Sequence, residues 1–202
     1  MRISLIGMSG TGKSFWSMRL EQAGFRRFCC DQLIGAQLTP LLTRGDGSRM
    51  RLGEWMGLPT ETQYENCERI YLDTENQVMK TILEHAENAP AREKIVIDTT
   101  GSVIHLEDAV LQKLKQLTKV VHLETSADVR AQMAEQYIRK PLAVVWRGRY
   151  SEREGESVEQ ALDRSYQELI HDREQLYSRL ADLTIPYEQH RDKDFGISSL
   201  LG

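Results

Sequence analysis

Apolar residues fall in short unbroken runs, separated by longer stretches in which they recur every three or four positions. Arg2-Ile3-Ser4-Leu5-Ile6 is the first such run, and Phe15 to Gln22 follows at helical spacing. Arg26 to Cys30 predicts a second strand and Lys94-Ile95-Val96-Ile97-Asp98 a third. Lys119 to Glu124 predicts a fourth, and Leu183 to Pro186 a short fifth. Strands without polar alternation are covered on both faces, so their exchange with helices predicts an α/β fold built on a parallel sheet. The helices carry their own start signals. Thr62-Gln63-Tyr64-Glu65 has the form of a capping box and predicts a long helix towards Glu87, with Ile70, Val78, Ile82 and Leu83 on its buried side. Ser126-Ala127-Asp128 predicts another start, with a capping serine and early negative charge. Ser157 to Gln160 opens the last long helix, which carries Leu162, Tyr166, Leu169, Ile170, Leu176 and Leu180.

Two segments break this rhythm. Thr43 to Pro59 holds four glycines and several charges, and reads as a mobile loop near the site. Arg139 to Glu156 is denser in charge, with Arg139, Lys140, Arg147, Arg149 and Arg153 among Glu152, Glu154 and Glu156. A run of this kind is either a solvated surface loop or a basic lid over a phosphate site.

With 202 residues the chain can bury one full core, so a single domain over 1–202 is expected. The formal net charge of −4 argues against a general nucleic-acid binder. Apolar runs are strand-sized, far short of the roughly 20 residues that span a bilayer. No basic segment followed by a long apolar stretch opens the chain, so no signal peptide and a cytoplasmic protein without membrane partner are expected. Cys29, Cys30 and Cys67 form no metal-ligand spacing and read as reduced, packed thiols.

Candidate chemistry concentrates after the first strand. Gly7-Met8-Ser9-Gly10-Thr11-Gly12-Lys13-Ser14 fits the pattern G-x-x-x-x-G-K-[S/T] in full. A strand entering a glycine loop and then a helix points several N–H groups, and the positive helix end, at one spot suited to a polyphosphate. Gly7, Gly10, Thr11, Gly12, Lys13, Ser14 and Phe15 are therefore the expected nucleotide cradle. Lys13 reaches the outer phosphates and Ser14 ligates Mg²⁺, with ATP and Mg²⁺ as the implied cofactors. The alternative is a glycine-rich turn with a chance lysine.

Asp98 ends a buried strand, where the sheet opens onto the ligand crevice, and is the candidate to hold Mg²⁺ through water. It is otherwise a cap for Thr99-Thr100-Gly101-Ser102. Asp98 to Gly101 also fits D-x-x-G, a switch signature of GTPases, but no N-K-x-D follows. A nucleotide-dependent binding switch thus remains an alternative to an enzyme.

The chain resembles the shikimate kinases, within the small P-loop kinases. The likeness rests on the P-loop, on Val120 to Ser126, on Arg139-Lys140-Pro141-Leu142, and on Arg173 to Tyr177 followed by Ala181-Asp182-Leu183. It implies a three-layer fold with strand order 2-3-1-4-5, helices on both faces, an acceptor region over about 31–90 and a mobile lid over about 139–156. It implies catalytic roles for Lys13, Asp31, Asp98 and Lys140, with Asp31 holding the accepting hydroxyl. Arg173 would grip an acceptor carboxylate, while Arg130, Arg139 and Arg191 would join the nucleotide site. Thr99, Thr100 and Gly101 would line the acceptor side with Asp31 and Arg173.

Departures from that family fall on the acceptor side. Cys29 stands where an aspartate is expected, and Thr99 to Ser102 replaces a glycine-rich run. Asp31 reads alternatively as a cap for a helix at Gln32, and Arg173 as an exposed residue paired with Glu168 or Glu174. The expectation is an ATP- and Mg²⁺-dependent kinase acting on a hydroxyl of a small, carboxylate-bearing acceptor, as monomer or homodimer. A nucleoside or nucleotide kinase, with Tyr64, Tyr71 or Trp55 stacking on a base, is the other enzymatic alternative.

Overall fold

A computed structural model describes residues 1–139 and 143–201, the side chains at 134–136 and 138–139 excepted. Five strands, β1 (Arg2–Ile6), β2 (Arg26–Cys29), β3 (Ile95–Asp98), β4 (Lys119–Leu123) and β5 (Leu183–Ile185), form one sheet in the order β2-β3-β1-β4-β5. Every pairing is parallel, and the register sets Leu5 beside Asp98 and Val121, and Cys29 beside Asp98. The expected strand order and orientation are both present.

Ten helices surround the sheet among the described residues: α1 (Lys13–Gln22), α2 (Cys30–Gln37), α3 (Thr39–Leu42), α4 (Leu52–Met56), α5 (Tyr64–Asn88), α6 (Asp108–Leu117), α7 (Ala127–Arg139), α8 (Val158–Leu180), α9 (Tyr187–Arg191) and α10 (Ile197–Leu201). Alternate residues of each strand enter opposite cores. Ile3, Leu5, Val96, Val121 and Ile185 pack with Trp16, Leu20, Phe195 and Leu200 beneath α1 and α10. Ile6, Ile95, Ile97 and Val120 pack with side chains of α5, α6 and α8 on the other face. This is the two-sided burial that the unbroken apolar runs require.

Ser157 caps α8 as the sequence predicts, its hydroxyl accepting from Gln160 N while the Gln160 side chain accepts from Ser157 N. Ser126 receives the Val129 N–H at 3.3 Å at the head of α7. Thr62 is a correction. The long helix begins at Tyr64, with Gln63 in helical conformation at its N-cap and no side-chain cap. The Thr43–Pro59 segment is also more ordered than a mobile loop. An antiparallel bridge joins Thr43 to Arg49, Asp46 accepts from Ser48, and α4 follows. None of the described helices is long and apolar enough to cross a membrane. All three cysteines are free thiols, and Cys67 is packed on α5.

Candidate functional site

The carboxyl ends of β1, β2 and β3 open onto a cleft of ≈ 680 Å³. The loop after β1 forms one wall. Gly7, Gly10 and Gly12 have φ of 136°, 82° and 100°, conformations that residues with a Cβ seldom adopt. A Cβ on Gly7 would lie 2.5 Å from the Leu123 carbonyl oxygen, whereas one on Gly10 would meet nothing within 4 Å. Lys13 opens α1 and curls back, its Nζ donating to the carbonyls of Gly7 at 2.8 Å and Met8 at 2.7 Å. Burial lowers its pKa to about 8, against the pull of Asp98 and Asp31. Ser14 is exposed in the first turn and lines the cleft.

Thr11 is buried and directs both its N–H and its hydroxyl to the Met8 carbonyl, bracing the loop. Phe15 lines an adjoining hollow that shares Gly12 and Arg191 with the cleft. Arg191 does join the cleft, crossing the loop to donate to the Gly10 carbonyl at 2.9 Å. Arg130 does not line it: its guanidinium holds the Thr125 carbonyl at 2.6 Å, and Val129, Gln132 and Met133 face the cleft from the same helix. Lys140 and the Arg139 side chain lie outside the described residues.

Asp98 is 3% exposed, and its Oδ2 is already engaged. It accepts from Arg27 NH2 at 2.8 Å and from Ser17 Oγ at 3.0 Å, while Arg27 Nε donates to Ser17 Oγ at 2.7 Å. Asp98 is therefore held in an ion pair with Arg27. Among the described residues no cluster of three His, Cys, Asp or Glu side chains is spaced to hold a metal.

The acceptor-side residues divide similarly. Asp31 occupies the first turn of α2, which starts at Cys30 with no side-chain cap, so the cap reading is wrong. Its carboxyl lines the cleft, and burial together with Asp98 raises its pKa against the opposing pull of Lys13. Thr100 and Gly101 line the cleft as expected. Thr99 does not: it is fully buried and donates to the Leu5 carbonyl at 2.8 Å. Arg173 is only 7% exposed and lines the cleft, so it is no surface residue paired with Glu168 or Glu174. Its NH2 donates to the Val145 carbonyl, and its Nε is buried without a partner among the described residues.

One buried charge behind the cleft is a residue that sequence reasoning missed. Glu75 on α5 is 1% exposed and accepts hydroxyl protons from Thr100 and from Ser102, the latter at 2.7 Å. Burial pushes its pKa up to about 7, against those two hydrogen bonds. Tyr71, one turn earlier, lines the cleft, while Tyr64 instead donates to the Val144 carbonyl at 2.8 Å and anchors part of the segment expected to be a lid. There Glu68 Oε1 accepts from Tyr64 Oη, Trp146 N and Arg147 N, and Trp146 Nε1 donates to Tyr137 at 3.1 Å. The available signal for Glu75 was its position: 71, 75, 78, 79 and 82 share one helical face, and the rest of that face is apolar or aromatic.

No protein-family model matches the sequence, and no curated protein matches it. Solved structures do resemble it. A shikimate kinase from Acinetobacter baumannii, in complex with shikimate, superposes with a TM-score of 0.59 at 19% identity, covering 99% of this chain and 87% of that one. Shikimate kinase from Bacteroides thetaiotaomicron gives 0.57 at 19% identity, covering 100% and 94%. That from Aquifex aeolicus gives 0.54 at 18%, covering 93% and 87%. The chain has the shikimate kinase-like P-loop kinase fold along nearly its whole length.

Proposed function

We propose that this protein is an ATP-dependent kinase that transfers the γ-phosphoryl group to a hydroxyl of a small acceptor bearing a carboxylate. The observation that carries the reading is the convergence of Lys13, Asp31 and Arg173 on one cleft. The loop fits a polyphosphate: three left-handed glycines curve it, and Lys13 Nζ, held for now by two carbonyls, is a cation without a carboxylate partner within ion-pair distance among the described residues. Bound MgATP supplies the transferable phosphoryl group. Ser14 would hold the metal, and Asp98 would act on it only through the oxygen that Arg27 and Ser17 leave free.

The protein's own groups do the remaining work. Lys13 neutralises phosphate charge where water is excluded, which is the main demand of phosphoryl transfer. Asp31, which lines the cleft and whose pKa burial raises, orients the accepting hydroxyl and takes its proton. Arg173 offers its unpartnered Nε to the acceptor's carboxylate, a geometry suited to the planar guanidinium. Lys140 and Arg139 would complete the lid.

The pairing of Asp98 with Arg27 favours a second reading, a nucleotide-binding relative with altered catalysis. Steady-state ADP release with a panel of hydroxy acids, shikimate included, separates the two. Acceptor-stimulated turnover that falls at least a hundredfold in Lys13→Ala, with the fold retained, is the expected result. Nucleotide binding with no acceptor-stimulated turnover on any member would sink the kinase reading.

A further inference from the structure

Asp98 ends β3, and its charge is already answered from within the chain. Arg27 lies opposite Val96 in the β2–β3 register and reaches forward along the strand to it. Its guanidinium closes as a fork: NH2 donates to Asp98 Oδ2 at 2.8 Å, and Nε donates to Ser17 Oγ at 2.7 Å. The planar two-pronged donor geometry of arginine suits it to bridge the two. Ser17 has one hydroxyl proton, and two acceptors stand within reach of it, Asp98 Oδ2 and the Ser14 carbonyl, each at 3.0 Å. Arginine, aspartate and the turn of α1 that carries Ser14 thus form one hydrogen-bonded unit.

The same carboxylate is the candidate to hold Mg²⁺ through water. Such an ion is commonly bound by one or two carboxylates together with the phosphates of a nucleotide. Ser14 offers an exposed hydroxyl to the cleft, so the residues fit a metal that arrives on the nucleotide. Asp98, by contrast, already has a cation at contact distance, and Cys29, its neighbour in the sheet register, brings a thiol in place of a carboxylate. Asp98 and Asp31 also both attract the charge of Lys13. These two carboxylates are matched by two protein cations before any metal arrives.

We propose that Arg27 is a positioning residue that serves as the resident counter-cation of Asp98 and so sets the metal dependence of the nucleotide site: the divalent ion is held by the nucleotide and Ser14, and the Arg27–Asp98 pair adds almost nothing to its affinity. The proposal rests on the nucleotide half of the kinase reading, and its consequence is read in binding, without turnover. Removing the guanidinium leaves one uncompensated negative charge at the site. At short range in a partly hydrated cleft, one such charge changes the affinity for a cation by about tenfold.

Mn²⁺ serves as the probe, its binding to the protein–ADP complex followed by electron paramagnetic resonance. Arg27→Met should hold Mn²⁺ about tenfold more tightly than the parent. Arg27→Lys, which keeps the charge and loses the fork, should stay near the parent. The double variant Arg27→Met with Asp98→Asn removes both charges and should return to within about threefold of the parent, a cancellation that a merely structural role for Arg27 would not produce. If Arg27→Met does not fold, the parent and the double variant decide the matter between them. Mn²⁺ affinity in Arg27→Met equal to the parent's would overturn the proposal. So would a gain in Arg27→Lys as large as that in Arg27→Met, or a loss of about tenfold or more in the double variant. Failure to bind ADP at all would remove the nucleotide reading and this one with it. Mn²⁺ binding as expected, with no acceptor-stimulated turnover, would remove the kinase reading alone and leave the role of Arg27.

Discussion

Replacing Arg27 by methionine removes a guanidinium from Asp98 while keeping most of its stem. The pair is tight, at 2.8 Å, with side-chain exposures of 12% for Arg27 and 3% for Asp98. Removing one partner of a buried pair costs about 3–5 kcal/mol, because the remaining charge is stranded. Here Ser17 still donates to Asp98 and the arginine edge touches solvent, so about 2–3 kcal/mol is the reasoned loss. For a chain of this length that lowers Tm by roughly 5–10 °C. The reverse change, Asp98→Asn, leaves a cation that can reach water and should cost only about 1 kcal/mol. The double variant should lose less than the sum, with a coupling of about 1–2 kcal/mol. Urea unfolding of the four proteins, followed by tryptophan fluorescence and circular dichroism, measures all of these. An Arg27→Met protein within about 0.5 kcal/mol of the parent, or strictly additive losses, would refute the burial argument.

Nucleotide affinity should weaken as pH rises through about 8, because burial depresses Lys13 and the phosphates need its charged form; fluorescence titration of Lys13→Ala should lack this dependence. Glu75 bears on stability in the same direction. Its folded pKa is raised from 4.5 to about 7, so the native state holds a proton that the unfolded chain has lost, and stability should fall as pH climbs through that window. Denaturation of Glu75→Gln between pH 5 and pH 8 should show a shallower slope. Removing the Glu68 carboxylate in Glu68→Ala frees the N–H of Arg147 and leaves that of Trp146 with the Tyr64 hydroxyl alone, so limited proteolysis of this segment should accelerate by about tenfold.

The sheet was legible because each strand is an unbroken apolar run, and burial on two faces leaves few other ways to pack such runs. Ser157 was legible for a local reason: its capping partner lies three residues away. Thr62 has the same local pattern and no cap, because the helix starts one residue later, with Gln63 already in helical conformation at the N-cap. The site divides along the same line. The P-loop is contiguous, and its geometry follows from its glycines. Asp98 was recognised at a strand end, but its partner Arg27 is 71 positions away and becomes a neighbour only through the β2–β3 pairing. Burial of Arg173 depends on the Val144–Trp146 segment folding over α8, which no spacing in α8 reveals. Glu75 needed one further inference, that a charge on an otherwise apolar helix face must have found partners inside.

The two glycines at the entrance of the loop are held by different forces, and that bears on how the chain could drift. Gly7 is confined by the Leu123 carbonyl of the neighbouring strand, so its side chain is forbidden by the sheet whether or not a nucleotide ever binds. Gly10 faces open space and is held only by a φ of 82°, a constraint set by the loop's own path. If the loop holds a nucleotide as proposed, a descendant that abandoned it would keep Gly7 for the sake of its scaffold and could relax Gly10 with its loop. In such a lineage the first glycine would be a fossil of the architecture, and the second would be the witness to the ligand.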